Sequence, residues 1–340
     1  MTMIDGFRML GSLGLWAVVM YAAGCEKEGE AETLQSRAAT EMIQPAGAAG
    51  YDPIVDAGEA YGMVRAMGDQ LVVIDARQPA DYAAGHLPGA INLPPDVWRT
   101  PRAKPGTGPG RHFYRVGEDD RGPLDTDHYN QKLGAAGLTE TAPVLVYGNH
   151  AGKADGSVPV MVLHLLGHRG EVYFLDGVGP HRLTDAGFAL STTPAARSAT
   201  AYAATPRDEA VWDLADVRQQ VAAPDPQVVL WDTRSLDEWE GRAARGNAAA
   251  GRIPGAVFLG FNELFIPGPD KRVLDRAAMQ SKLDEAGITP DKTVVMYCQT
   301  ATRVALPYQA LRELGYDRLA IYDGSKAEYA NRDDTEIEQP

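Results

Sequence analysis

Residues 283–298, LDEAGITPDKTVVMYC, repeat residues 133–148 of the same chain, LGAAGLTETAPVLVYG, at an offset of 150 positions. Further matched blocks are VVIDAR (72–77) with VVLWDTR (228–234), GHLPGAINL (85–93) with GRIPGAVFL (251–259), and LLGHRGEVYFLDG (165–177) with LRELGYDRLAIYDG (311–324). Blocks that recur in one order predict two homologous domains. The 340 residues allow two domains of ordinary size, which we place at 51–195 and 207–330. The stretch that joins them is rich in Thr, Ala and Pro.

Each copy alternates short runs of Val, Ile and Leu with helical patterns. VVMY (294–297) is typical of a buried strand, and VALPYQALRELGY (304–316) has apolar residues at helical spacing. Buried strands that alternate with helices predict an α/β fold of two domains, each a mainly parallel sheet flanked by helices on both faces. Cys298 then lies where a parallel strand passes into a helix, at the sheet edge where ligands bind in such folds.

The composition is that of an ordinary globular chain, with 44% hydrophobic and 23% charged residues. The net charge of −14 argues against a nucleic-acid partner, because phosphate binding needs clustered Lys and Arg. Any anionic substrate would have to be held by local positive groups. Two Asp-x-Arg pairs at strand ends, Asp75 with Arg77 and Asp232 with Arg234, are predicted to be structural ion pairs.

Residues 1–24 have the layout of an export signal, with an apolar run from Met9 to Ala23 and small residues before Cys25. The segment resembles a bacterial lipoprotein signal, which implies a lipidated Cys25 and a protein at the periplasm or cell surface, held to the membrane only through its lipid anchor. A plain secretory signal and a membrane anchor are the alternatives, although the run is shorter than the ~20 residues that span a bilayer. Residues 25–50, charged and then rich in Ala and Gly, are predicted to be a flexible tether.

Cys298 is one of only two cysteines, and polar residues follow it. A loop that closes onto a helix start directs backbone N–H groups inward, and the helix dipole and Arg303 add positive charge. Such a cradle favours the thiolate, which is the nucleophilic form of cysteine. A buried structural cysteine is the alternative. The neighbours Gln299, Thr300 and Thr302 favour a functional site, because a core cysteine needs no polar rim.

Five motifs together carry a family resemblance. They are IDARQPADYAAGHLPGAINLP (74–94), WDTRSLDEWEG (231–241), GRIPGAVFL (251–259), YCQTATR (297–303) and IYDGSKAEY (321–329). The chain resembles tandem-domain rhodaneses, which are thiosulfate or mercaptopyruvate sulfurtransferases. The resemblance implies that Cys298 takes the outer sulfur of a small anionic donor and holds it as a persulfide for a thiol or cyanide acceptor. It implies a monomer without a cofactor. No metal is predicted, since His164 and His168 lack a third ligand in sequence.

The residues predicted to bind the sulfur donor are Gln299, Thr300, Ala301, Thr302, Arg303 and Arg182. By the resemblance, the loop N–H groups surround the persulfide and Arg303 pairs with the leaving sulfite or with a substrate carboxylate. Arg182 would be a basic residue that the first domain lends to the site. In the first copy, Gly148 stands opposite Cys298 and Lys153 opposite Arg303. No side chain at Gly148 can hold sulfur, so the first domain is predicted to be catalytically silent.

Two other functions stay open. Dual-specificity phosphatases of the cell-cycle type share this fold, but their loop is one residue longer than the four residues, Gln299 to Thr302, between the cysteine and the arginine here. A non-enzymatic, lipid-anchored sulfur carrier would have the same sequence. Among the donors, thiosulfate is favoured over mercaptopyruvate, although CQTATR, with one Arg and no Lys, matches neither group of loops cleanly.

Overall fold

The computed structural model describes residues 53–100, 111–116, 122–149, 154–177, 180–266 and 272–339. The predicted signal (1–24) and tether (25–50), with Cys25, lie outside these residues, as does Lys153. Within the described ranges, no helix has the length and apolar character needed to cross a membrane.

The first domain is built on a five-stranded sheet with the order β1-β5-β4-β2-β3, and every pairing in it is parallel. Its strands are β1 (Ile54–Val55), β2 (Val72–Asp75), β3 (Ile91–Asn92), β4 (Val144–Tyr147) and β5 (Val172–Leu175). Its helices are α1 (Ala57–Met67), α2 (Pro79–Ala84), α3 (Asp127–Ala135), α4 (Ser157–Leu165) and α5 (Pro180–Asp185), with 3₁₀ turns at Gly68–Gln70 and Pro95–Trp98.

The second domain repeats this plan, with the order β6-β10-β9-β7-β8 and parallel pairing throughout. Its strands are β6 (Val211–Trp212), β7 (Val228–Asp232), β8 (Val257–Phe258), β9 (Thr293–Tyr297) and β10 (Leu319–Tyr322). Its helices are α6 (Leu214–Ala222), α7 (Leu236–Trp239), α8 (Arg276–Glu285), α9 (Ala305–Glu313) and α10 (Ser325–Tyr329), with 3₁₀ turns at Asp208–Ala210 and Phe261–Leu264. The equal strand order in both halves confirms the predicted fold class.

The sheets are covered on both faces, as the unbroken apolar runs predicted. Along β2, Val72 and Ile74 belong to one buried cluster, and Val73 between them belongs to another. The cluster that contains Val72 also contains Val294 and Met296 of β9, so one apolar core continues from the first domain into the second. Because side chains alternate across a parallel sheet, only a strand that is buried on both sides can be apolar at every position.

The Asp-x-Arg pairs are structural, as predicted. Arg234 Nη2 lies 2.7 Å from Asp232 Oδ2 and donates to the carbonyl oxygen of Gly251 at 2.9 Å, which ties the end of β7 to the chain that returns toward β8. Both side chains of this pair are buried. Arg77 makes the corresponding bonds to Asp75 and to the Gly85 carbonyl in the first domain.

The domains meet along α4 and α9, which pack against each other. His164 Nδ1 on α4 lies 2.5 Å from the hydroxyl of Tyr308 on α9. Burial, with the charges of Arg312 and Arg207, lowers the pKa of His164 well below its usual value. His164 is therefore neutral at neutral pH and bonds across the interface.

Candidate active site

Cys298 is the first residue after β9, and its side chain is buried. A loop that begins at Cys298 and ends at Val304 connects β9 to the start of α9 at Ala305. Strand β9 lies between β7 and β10, so the loop emerges at the middle of the sheet. The thiol therefore sits at the carboxyl edge of a central parallel strand, facing the start of a helix, as the sequence predicted.

Ser325, at the start of α10, holds the loop from one side. Its Oγ accepts the N–H of Cys298 at 3.3 Å and the N–H of Ala301 at 3.0 Å, and it donates to the carbonyl oxygen of Tyr322 at 2.9 Å. A hydroxyl has one proton and two lone pairs, so these three bonds use its full capacity. The backbone N–H of Lys326 also donates to the Cys298 carbonyl at 3.0 Å.

Ala301 differs from its predicted role. Its N–H is taken by Ser325 and so is not offered to a substrate. Its φ of +53° is in the left-handed region, which is uncommon for a residue with a Cβ and is tolerated here by a small side chain. The reversal turns the loop back on itself. In the described part of the chain, no hydrogen bond engages the backbone N–H groups that remain, those of Gln299, Thr300, Thr302 and Arg303.

Arg303 closes the loop and is paired with a residue that the sequence reasoning did not single out. Glu238 accepts from Arg303 Nη1 at 2.6 Å and from Nη2 at 2.9 Å, a bidentate pair. Burial raises the pKa of Glu238, but the bonds from Arg303 and Ser235 outweigh burial and lower it to about 2. Burial likewise lowers the pKa of Arg303, whereas Glu238 and the neighbouring Cys298 raise it, and the net shift is upward. Arg303 is thus a cation that Glu238 holds in place at the end of the loop.

The first domain reaches the same loop. Arg99 Nη2 donates to the carbonyl oxygen of Thr300 at 3.1 Å and to the hydroxyl of Thr302. His112 Nε2 lies 3.2 Å from the carbonyl oxygen of Ala301. The other ring nitrogen, Nδ1, lies 2.7 Å from the carbonyl oxygen of Trp98. Burial and the charge of Arg99 lower the pKa of His112 to about 4. The loop is therefore held between the two domains.

A protein-family comparison matches the rhodanese-like domain twice, at residues 57–177 and 208–332. The chain belongs to the rhodanese family. The thiosulfate sulfurtransferase of Pseudomonas aeruginosa is 30% identical over 271 residues, which cover 79% of this chain and 91% of that protein. The thiosulfate sulfurtransferase of Azotobacter vinelandii is 30% identical over 274 residues, with coverages of 81% and 93%.

Solved structures share the fold of this chain. The anaerobic ergothioneine biosynthesis enzyme from Chlorobium limicola, in complex with trimethyl histidine, superposes with a TM-score of 0.67 at 22% identity, over 84% of this chain and 70% of that one. The wild-type structure of EanB gives a TM-score of 0.68 at 22% identity, over 88% and 72% of the two chains. At these identities the likeness shows the fold alone.

Arg182 lies in a cleft of about 380 Å³ together with Asp56, Asp176, Asp185 and Arg272. Acidic side chains of the first domain and a basic side chain of the second therefore line this cleft. Its predicted part in donor binding stays a prediction, and Arg99 is a first-domain arginine that the structure places on the active loop.

In the first domain, an acidic side chain lies beside Gly148, the residue that corresponds to Cys298. The carboxylate of Asp155 accepts the N–H of Asn149 at 3.1 Å and the N–H of Gly156 at 3.1 Å. A Cβ built on Gly148 would lie 2.5 Å from the Gly156 nitrogen and 2.8 Å from Asp155 Cγ, closer than real contacts allow. The Asp155 carboxylate thus accepts backbone N–H groups beside Gly148, the residue that corresponds to Cys298. This contact supports the prediction of a silent first domain.

Proposed function

We propose that this rhodanese is a sulfurtransferase that moves sulfane sulfur from thiosulfate to a thiol or cyanide through a persulfide on Cys298. One observation carries the proposal. The buried thiol stands at the base of a loop whose N–H groups at Gln299, Thr300 and Thr302 have no acceptor among the described residues, and Arg303 stands at its far end. Its relatives named thiosulfate sulfurtransferase support the same activity.

In the first half-reaction, the Cys298 thiolate attacks the outer sulfur of thiosulfate. A new S–S bond forms, the S–S bond of the donor breaks, and sulfite leaves with the electron pair of that bond. The terminal sulfur of the persulfide is anionic, and preorganised N–H donors stabilise such charge without reorganising. The Arg303 guanidinium, which is paired with Glu238, interacts electrostatically with Cys298 from the far end of the loop.

In the second half-reaction, cyanide or a thiolate attacks the terminal sulfur. The S–S bond of the persulfide breaks and the Cys298 thiolate is restored, with thiocyanate or an acceptor persulfide as product. No redox cofactor is needed, because the sulfur atom moves between nucleophiles and the electrons balance in each step.

The donor is tested by initial rates of thiocyanate release from thiosulfate and from 3-mercaptopyruvate, measured side by side on the full chain. We expect faster turnover with thiosulfate and none with Cys298→Ser. Faster turnover with mercaptopyruvate would overturn the assignment of thiosulfate as the donor. Absence of thiocyanate with both donors would overturn the proposal that the protein is an enzyme. Sulfur uptake without turnover would indicate a carrier, and hydrolysis of p-nitrophenyl phosphate through Cys298 would indicate a phosphatase.

We also propose that residues 1–24 direct export and that lipidation of Cys25 anchors a monomeric protein at the periplasmic or cell surface. The apolar run before Cys25 supports this placement. In a bacterial host, wild-type protein is expected in the membrane fraction and Cys25→Ser in the soluble periplasmic fraction. Equal partition of the two proteins would count against lipidation.

A further inference from the structure

Arg99 is attached to the part of the loop that must stay folded for sulfur binding. Its Nη2 donates to the Thr300 carbonyl at 3.1 Å and to the Thr302 hydroxyl, so its two acceptors flank Ala301. Ala301 has the left-handed φ of +53°. A residue with a Cβ keeps such a conformation only where the surroundings impose it.

The peptide unit between Thr300 and Ala301 is held at both ends. A peptide unit is planar and trans, so its C=O and its N–H point in opposite directions. The C=O of Thr300 points to Arg99 in the first domain, and the N–H of Ala301 points to Ser325 Oγ in the second, at 3.0 Å. Rotation of this unit would break a bond on each side. The orientation of this peptide unit therefore depends on both domains.

The next peptide unit follows the same rule. The Ala301 carbonyl faces His112 Nε2 at 3.2 Å, so the Thr302 N–H points away from the first domain. That N–H has no acceptor in the described part of the chain. Arg99 also fixes the Thr302 side chain through its hydroxyl. The first domain thereby sets the direction of an N–H group that the proposed function assigns to the persulfide.

We infer that Arg99 of the silent first domain is a positioning residue for sulfur transfer, acting through Thr300 and Thr302. This assignment rests on the proposed sulfurtransferase function. It gives the first domain an indirect part in catalysis, because a first-domain cation holds the active loop of the second domain in place. The small cavity of about 90 Å³ beside Arg99 is lined by both domains, including His112 and Thr302, so the contact lies inside the interface.

The test compares single-turnover rates of persulfide formation at saturating thiosulfate, followed by intact mass in quenched samples of the full chain. Arg99→Ala is expected to lower the rate at least about tenfold, since small displacements of catalytic groups are costly, while one sulfur per chain still forms at long times. Arg99→Lys, which keeps one cationic donor, is expected to recover part of the rate. The concentration of thiosulfate at half-maximal rate should change less than the maximal rate.

Arg115 provides the matched control. It crosses the same interface and donates to Asp208 Oδ1 at 3.1 Å, to the Asp208 carbonyl at 2.9 Å and to the Val211 carbonyl at 2.8 Å, away from the loop. Arg115→Ala is therefore expected to keep the wild-type maximal rate even where it lowers the melting temperature. If Arg99→Ala does not fold, Arg99→Met, which keeps an apolar stem of similar length and removes the donors, gives the same comparison.

The outcomes separate cleanly. Equal maximal rates for wild type and Arg99→Ala would overturn the assignment and leave the sulfurtransferase function in place. Equal slowing by Arg115→Ala would also overturn it, because the effect would then belong to the interface in general. A wild type that gains no sulfur would overturn the proposed function and the assignment together.

Discussion

Introducing a cysteine at Gly148 tests why the first domain is silent. If silence came only from the missing thiol, Gly148→Cys would create a second sulfur-binding site. The structure predicts that it does not, because the Asp155 carboxylate already accepts the N–H groups of Asn149 and Gly156. The new Cβ would lie 2.5 Å from the Gly156 nitrogen, a backbone atom that cannot turn aside.

The expected cost follows from this overlap. Forcing an atom into a well-packed site typically costs about 1–3 kcal/mol. For domains of this size, that corresponds to a melting temperature lower by roughly 2–12 °C. The assay is the intact mass of Gly148→Cys in a Cys298→Ser background after incubation with thiosulfate. We expect the mass of the unmodified chain.

Gly62→Cys in the same background is the matched control. Gly62 is exposed on α1, and a Cβ there would meet nothing within 4 Å. This variant therefore adds a thiol that neither clashes with its neighbours nor lies in a loop of inward N–H groups. Neither variant should gain sulfur, and only Gly148→Cys should lose stability. Gain of one sulfur atom by Gly148→Cys but not by Gly62→Cys would refute the view that Asp155 fills the cradle.

Two further predictions concern the active loop. Ser325→Ala leaves the buried N–H groups of Cys298 and Ala301 without an acceptor. We expect the free energy of unfolding to fall by at most about 1–3 kcal/mol for each of the two groups, and persulfide formation to slow roughly ten- to hundredfold. An unchanged rate would show that the loop does not depend on this hydroxyl. Glu238→Gln breaks a bidentate pair with Arg303, whose side chain is 20% exposed, so we expect a loss of about 3 kcal/mol at pH 7 in denaturant unfolding. Because the folded-state pKa of Glu238 is lowered from 4.5 to about 2, its contribution is present above pH 4.5 and is lost toward pH 2. The stability gap between wild type and Glu238→Gln should therefore narrow over that range, and a constant gap would contradict the pairing.

The sequence predicted the fold because its signals were local and repeated. The run Val294–Tyr297 is apolar at every position, which indicates a strand covered on both faces, and the same block recurs 150 residues earlier. Cys298 and Arg303 were found because they bracket one loop next to that strand. The Asp-x-Arg pairs were found for the same reason, since each pair lies within three consecutive residues.

The partners of the loop could not be predicted in this way. Ser325 and Glu238 lie within motifs that carried the family resemblance, but their bonds to the loop span 24 to 65 residues. Arg99 is 201 residues from its acceptor Thr300 and lies in the other domain, so no spacing rule connects them. The position of Asp155 depends on a loop that differs from its counterpart in length. Tertiary packing decides each of these contacts, within one domain for Ser325, Glu238 and Asp155 and between the domains for Arg99.

The most direct test of the central claim is the intact mass of the wild-type chain and of Cys298→Ser after thiosulfate and again after cyanide. A persulfide on Cys298 predicts that wild type gains one sulfur atom and loses it to cyanide with release of thiocyanate, while Cys298→Ser gains none. A wild type that gains no sulfur, or a Cys298→Ser variant that gains and releases it equally well, would contradict the account.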